Sequence, residues 1–126
     1  MIFMNKLLKT LPKEIPIFPL SNFIIFPKTT VPLNIFEPRY IEMIDDAMKE
    51  NRIIGMIQPR NSNQRTPSVY DVGCAGKITS FNETEDGRYL ILLAGISRFK
   101  VIKELKTKKT YRKFTIDFED FLDDLK

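Results

Sequence analysis

The stretch that decides the fold is "VPLNIFEPRYIEMIDDAM", Val31 to Met48. Its first part is a short apolar run interrupted by Pro32, and it reads as the end of a strand, Thr30 to Ile35. From Pro38 the period changes. Ile41, Ile44, Ala47 and Met48 fall at steps of three and four, while Glu42, Asp45, Asp46 and Lys49 occupy the other faces, which predicts an amphipathic helix of about three turns. Pro38 suits the first turn, where a missing N–H breaks no bond, and Glu37 places negative charge at the positive end of the dipole. Lys49 and Arg52 suit the last carbonyls, with Asn51 as a cap. The nine residues "PLNIFEPRY", Pro32 to Tyr40, run from that strand into the helix.

Upstream, "EIPIFPLSNFIIFPKTT" alternates apolar runs with prolines, which cannot donate to a ladder and so mark strand ends, edges or bulges. Strands are predicted near Ile15–Leu20 and Phe23–Phe26, with turns at Ser21-Asn22 and Lys28-Thr29. Residues 1–12 read as a flexible N-terminus. Downstream, "RIIGMIQP" is a strand closed by Pro59, and "RNSNQRTPSVYD" is a surface loop. "VGCAGKITSF" is a strand whose Gly73 and Gly76 point to a bulge or a close backbone approach. Asp86-Gly87 predicts a hairpin into "YLILLAGI", apolar on both faces and hence expected in mid-core. "SRFKVIKEL" continues as a strand, "KTKKTYRK" is a basic connection, and "KFTIDFEDF" is a half-buried strand. The tail, about 119–126, has helical spacing and reads as the start of a helical region that this sequence does not continue.

With 126 residues and 43% hydrophobic content, one domain with one core is expected over 1–126. Histidine is absent from the sequence, and Cys74 is the single cysteine. Within this chain that excludes Ser-His-Asp and Cys-His nucleophile systems, His-based zinc sites and intramolecular disulfides. No phosphate-cradling G-x-x-x-x-G-K-[ST] occurs, and none of the serines lies in a recognisable nucleophile motif. No catalytic, cofactor-binding or metal-binding residue is assigned. Asp45 and Asp46 read as a solvated helix face, and Cys74 as a small buried residue. The N-terminus lacks the ~7–15-residue apolar segment of a signal peptide, and no run reaches the ~18–20 apolar residues of a membrane span. A soluble, cytoplasmic setting is expected. The formal net charge of +4 is moderate and does not by itself imply a nucleic-acid partner.

"IPIFPLSNFIIFP", "VPLNIFEPRYIEMIDDAM", "IIGMIQP", "VGCAGKI", "DGRYLILLAGISRFKV" and "YRKFTIDF" occur in the order seen in the N-terminal substrate-binding domain of Lon proteases. The chain resembles most the stand-alone bacterial proteins that carry this domain without the protease. The resemblance runs from about Pro12 to the C-terminus. It implies a mainly β (α+β) fold, a PUA-like pseudo-barrel of short, largely antiparallel strands with one inserted helix and a truncated C-terminal helical region. It also implies that "NIFEPRY" is the corner where strand hands over to helix, with Phe36 and Tyr40 anchoring it and Glu37 and Arg39 available for local pairing. Many relatives have glycine near the first turns where this chain has Asn22 and Lys28, so those turns are expected to differ in conformation. Lon's ATPase and Ser-Lys peptidase are not part of the match.

The resemblance implies a non-catalytic module that binds unfolded or partner polypeptide, with a role as an adaptor in protein quality control. Strand edges left open near Pro16 to Pro32 could accept an added strand. Glu37, Arg39 and Glu42 are candidates for a polar rim, or else structural. The alternative is a PUA-like RNA-binding module, with Lys106, Lys108, Lys109 and Arg112 as its basic patch beside Phe99, Tyr111 and Phe114. The moderate net charge, with Phe99 and Phe114 on apolar strand faces, favours a solvated edge.

Overall fold

The computed structural model describes residues 2–21, 24–60 and 68–126. Its elements are α1 (Ile2–Thr10), β1 (Glu14–Pro19), β2 (Thr30–Ile35), α2 (Pro38–Lys49), β3 (Ile53–Ile57), β4 (Val72–Glu83), β5 (Tyr89–Leu105), β6 (Arg112–Asp117) and a 3-10 helix, Glu119–Leu125. The strands form one sheet in the order β2-β5-β4-β3-β1-β6, and β6 also pairs with β5. That second pairing closes β5, β4, β3, β1 and β6 into a barrel and leaves β2 as an appended strand. All pairings are antiparallel except β1 with β3.

Barrel closure depends on the length of β5. Its first half pairs with β2 and its second half with β6, while β4 runs beside both. The strand predicted over "YLILLAGI" and continuing through "SRFKVIKEL" is one strand of 17 residues. Phe99, on its second half, fills the barrel interior with Ile15, Ile17, Ala75 and Phe114. A Cβ added at Gly55 or Gly73 would lie 2.9 or 2.7 Å from the Phe99 ring, so the two glycines make room for that ring. The Gly73 and Gly76 expectation holds on both counts, because β4 also shifts register between Ala75 and Gly76.

The opposite core lies beneath α2, which buries Tyr40, Met43, Ile44 and Ala47 against Phe18, Ile35, Met56 and Leu93. The buried stripe is centred slightly away from the predicted one, since Ile41 and Met48 lie at its margin, partly buried. The helix opens on Glu37 in extended conformation with Pro38 in the first turn. It ends at Glu50, and the left-handed residue that reverses the chain is Arg52, at φ 63°, whose N–H donates to the Ala47 carbonyl. Asn51 instead accepts the Ile53 N–H.

Two further expectations are corrected. Ile24, Ile25 and Phe26 form no strand; they lead into a turn in which Thr29 N–H donates to the Phe26 carbonyl and Lys28 has φ 65°. Pro27 removes a donor at that point, and Lys28 takes the left-handed conformation despite not being glycine. Leu90 and Leu92 are 43% and 40% exposed, so β5 is buried on one face only in its first half, through Tyr89, Ile91 and Leu93. The N-terminal segment contains α1, whose Leu8 packs at the margin of the Phe99 cluster. Phe23, Asn22 and the centre of the predicted loop, 61–67, lie outside the described residues. The base of that loop is pinched by Arg60 N–H to the Ser68 carbonyl and Tyr70 N–H to the Gln58 carbonyl.

Candidate functional site

The corner "PLNIFEPRY" borders a groove of about 300 Å³ between the end of β1 and the outer edge of β2. Phe18 and Leu20 come from the β1 side, Pro32 and Asn34 from β2, and Phe36 and Tyr40 from the corner. Tyr40 packs on Phe18 with ring centroids 4.2 Å apart, and burial raises its phenol above the usual tyrosine range. Tyr40 is thus the anchor that the resemblance implied. Phe36 is not, because it stands 66% exposed at the groove mouth.

Glu37 and Arg39 both line this groove. Arg39 Nε donates to Glu37 Oε2 at 2.9 Å, and its guanidinium covers the Tyr40 ring 4.6 Å from the centroid. Both side chains are about half exposed, so the pair is worth at most ~1 kcal/mol and mainly orients the two groups. Glu42 does not join them. Its Oε1 accepts the Thr110 N–H at 2.8 Å and the Thr110 hydroxyl at 2.7 Å, and these bonds hold its carboxyl below the usual range.

Glu42 belongs to a row of carboxylates along α2 that secures the rest of the molecule. Asp45 Oδ1 accepts the Tyr89 hydroxyl at 2.7 Å, and Asp46 Oδ2 accepts the Tyr111 hydroxyl at 2.7 Å. The Tyr111 bond holds the Asp46 carboxyl low; the Asp45 bond pushes the Tyr89 phenol up to about 12. The predicted solvated face is a set of clamps from helix to β5 and to the turn before β6. Nothing local in the sequence marks these partners, which lie 44 to 68 residues away.

The basic stretch divides. Arg112 makes a bidentate pair with Glu104, at 2.9 and 2.8 Å, and lies over the Phe114 ring. Lys109 Nζ is 3.2 Å from Asp46. Lys106 and Lys108 are exposed. The interleaved aromatics Phe99, Tyr111 and Phe114 are all buried, as expected for the first and third. Cys74 is buried too, and desolvation pushes its thiol up to about 12, far from a reactive thiolate. A second apolar depression, about 230 Å³, lies over Cys74 between Phe26 and Val72. Among the described residues no cluster of acidic or cysteine side chains has metal-binding geometry, and no helix is long and apolar enough to cross a membrane.

Comparison with known proteins accords with this architecture. The Lon protease of Anaeromyxobacter dehalogenans is 29% identical over 119 residues, 92% of this chain and 14% of that protein. Lon protease 1 of Herpetosiphon aurantiacus is 31% identical over 108 residues, 82% of this chain and 13% of that protein. The chain thus spans only a small part of the curated relatives it matches. A crystal structure of a Lon N-terminal domain protein from Xanthomonas campestris superposes with a TM-score of 0.69 at 23% identity, covering 83% of this chain and 59% of that one. The N-terminal domain of a Mycobacterium avium complex Lon protease gives 0.63 at 15% identity, covering 84% and 54%. The family model for the ATP-dependent protease La (LON) substrate-binding domain matches residues 14–124, and the chain belongs to that family.

Proposed function

We propose that this chain is a non-catalytic polypeptide-binding module that receives unfolded or partner polypeptide in the groove beside Phe36, with Glu37 and Arg39 as its polar rim. The observation that carries this reading is the exposed Phe36 at the mouth of an apolar groove whose floor is the Phe18–Tyr40 stack. A large aromatic held out in water beside an apolar cleft is the composition of a recognition surface. Membership of the substrate-binding family supports the same role, and an adaptor in cytoplasmic protein quality control is the setting in which such a module would act.

The test compares reduced, carboxymethylated lactalbumin with the native protein, by isothermal titration. The unfolded form binds and the native form does not, and Phe36→Ser weakens binding about tenfold, as loss of a central aromatic contact does. Equal binding of both forms, or of neither, contradicts the proposal. The RNA alternative has less support, because the aromatics of the basic stretch are buried and two of its four cations face carboxylates. It requires single-stranded RNA binding at low salt that Lys106→Ala with Lys108→Ala reduces.

A further inference from the structure

The β2 wall of the groove carries main-chain groups that no other described strand uses. Among the described residues β2 pairs only with β5. Two hydrogen bonds outside the ladder fix its phase. At one end Gly95 N–H donates to the Thr29 carbonyl at 2.7 Å. At the other, Thr84 N–H donates to the Arg88 carbonyl at 2.9 Å, which in the β4–β5 register turns Leu90 and Leu92 toward β4 and Tyr89, Ile91 and Leu93 toward β2. Both give the same answer, since bonded positions recur at every second residue. Val31, Leu33 and Ile35 bond to β5, and Thr30, Pro32 and Asn34 turn their main-chain groups outward, the last two beside the groove. Pro32 agrees independently, because an outward position is where a missing N–H removes no ladder bond.

The occupant must therefore supply main-chain donors and acceptors in extended form. It must also be apolar and uncharged where it enters, because the charged groups lining the groove, Glu37 and Arg39, already neutralise each other at 2.9 Å. We infer that the groove takes its polypeptide as an added β-strand on the outer edge of β2, hydrogen-bonded to both main-chain groups of Asn34 and to the Pro32 carbonyl. Alternate side chains of the added strand enter the groove over Phe18 and Tyr40. This rests on the polypeptide-binding reading above and specifies its chemistry. Bonding through the main chain tolerates many sequences but demands an extended conformation, which a folded protein does not offer. Pro32 leaves one carbonyl of the added strand without a donor, which keeps capture reversible and blunts pairing of β2 with a second copy.

The probe is a fluorescein-labelled peptide of about ten residues in which Val and Thr alternate, long enough to cover a six-residue edge in strand form. Each amide is N-methylated in turn and binding is read by fluorescence anisotropy. The expected pattern has period two: losses of about tenfold at one set of central positions and under about twofold at the other, the size of one hydrogen bond. Asn34→Pro weakens the parent peptide about tenfold while the melting temperature holds. Binding of the parent peptide without that alternation overturns strand addition but leaves the polypeptide-binding reading intact. Binding of unfolded lactalbumin but not of the peptide does the same. A concentration-dependent dimer abolished by Asn34→Pro, without peptide affinity, would assign the edge to a second copy. Failure of both lactalbumin and peptide to bind removes both readings.

Discussion

The acidic face of α2 and the outer edge of β2 lie on either side of the same corner, and they treat polar groups in opposite ways. On α2, Glu42, Asp45 and Asp46 each accept a hydrogen bond from a distant element, so the helix is tied to β5 and to the turn before β6. On β2, Asn34 and Pro32 direct main-chain groups away from their only partner strand among the described residues, next to an exposed Phe36. The contrast separates scaffold from proposed site: where polar groups are satisfied internally the molecule is held, and where they turn outward an added strand could bind.

The largest expected effect lies on the clamped side. Tyr111 is buried, and Tyr111→Ala removes its ring and the Asp46 bond together, lowering stability by about 3–5 kcal/mol in urea unfolding. A loss under about 1 kcal/mol would mean that the clamp does not hold the turn. Asp46→Ala keeps the ring but strands its hydroxyl, and a loss of about 1–2 kcal/mol is expected from the same measurement.

Acid should loosen the clamped side. The Glu42 and Asp46 carboxyls sit below their ordinary values, chiefly through bonds from Thr110 and Tyr111. A carboxyl depressed by folding contributes stability that is complete above its unfolded pKa, about 4, and lost as pH falls through the folded value. The urea midpoint should therefore hold from pH 7 to 5 and drop below about pH 4, with a shallower drop in the Glu42→Gln, Asp46→Asn double variant. An identical drop in that variant would place the acid sensitivity elsewhere. The smallest effect is on the open side: Phe36→Ala and Asn34→Pro should each shift stability by less than about 0.5 kcal/mol, since neither is expected to remove a contact within the fold. A large loss for Asn34→Pro would show that its N–H bonds to β5 and that the deduced phase is reversed.

Local signals in the sequence were readable and distant ones were not. The bounds of β2, the start of α2 at Pro38 and the Asp86-Gly87 hairpin follow from prolines, a change of period and a turn dipeptide, and the structure has all three. The barrel closure made by β5 was hidden because it is set by β2, β4 and β6, which supply its neighbours from three other parts of the chain. Leu90 and Leu92 read as core because the alternation of a strand does not say whether anything covers its second face. The same limit applies at the groove: Glu37 and Arg39 were visible as a charged corner, but the exposure of Phe36 depends on how β1 and β2 meet. The prolines near β2 did signal an edge, and Pro32 marks which main-chain groups face out of it.

Amide hydrogen exchange at Asn34 tests the central claim most directly. In the free chain this amide should exchange as fast as an unbonded one, and saturating unfolded lactalbumin should slow it about tenfold or more while Leu33, already in the ladder, changes little. Bound lactalbumin that leaves Asn34 exchange unchanged would contradict the account.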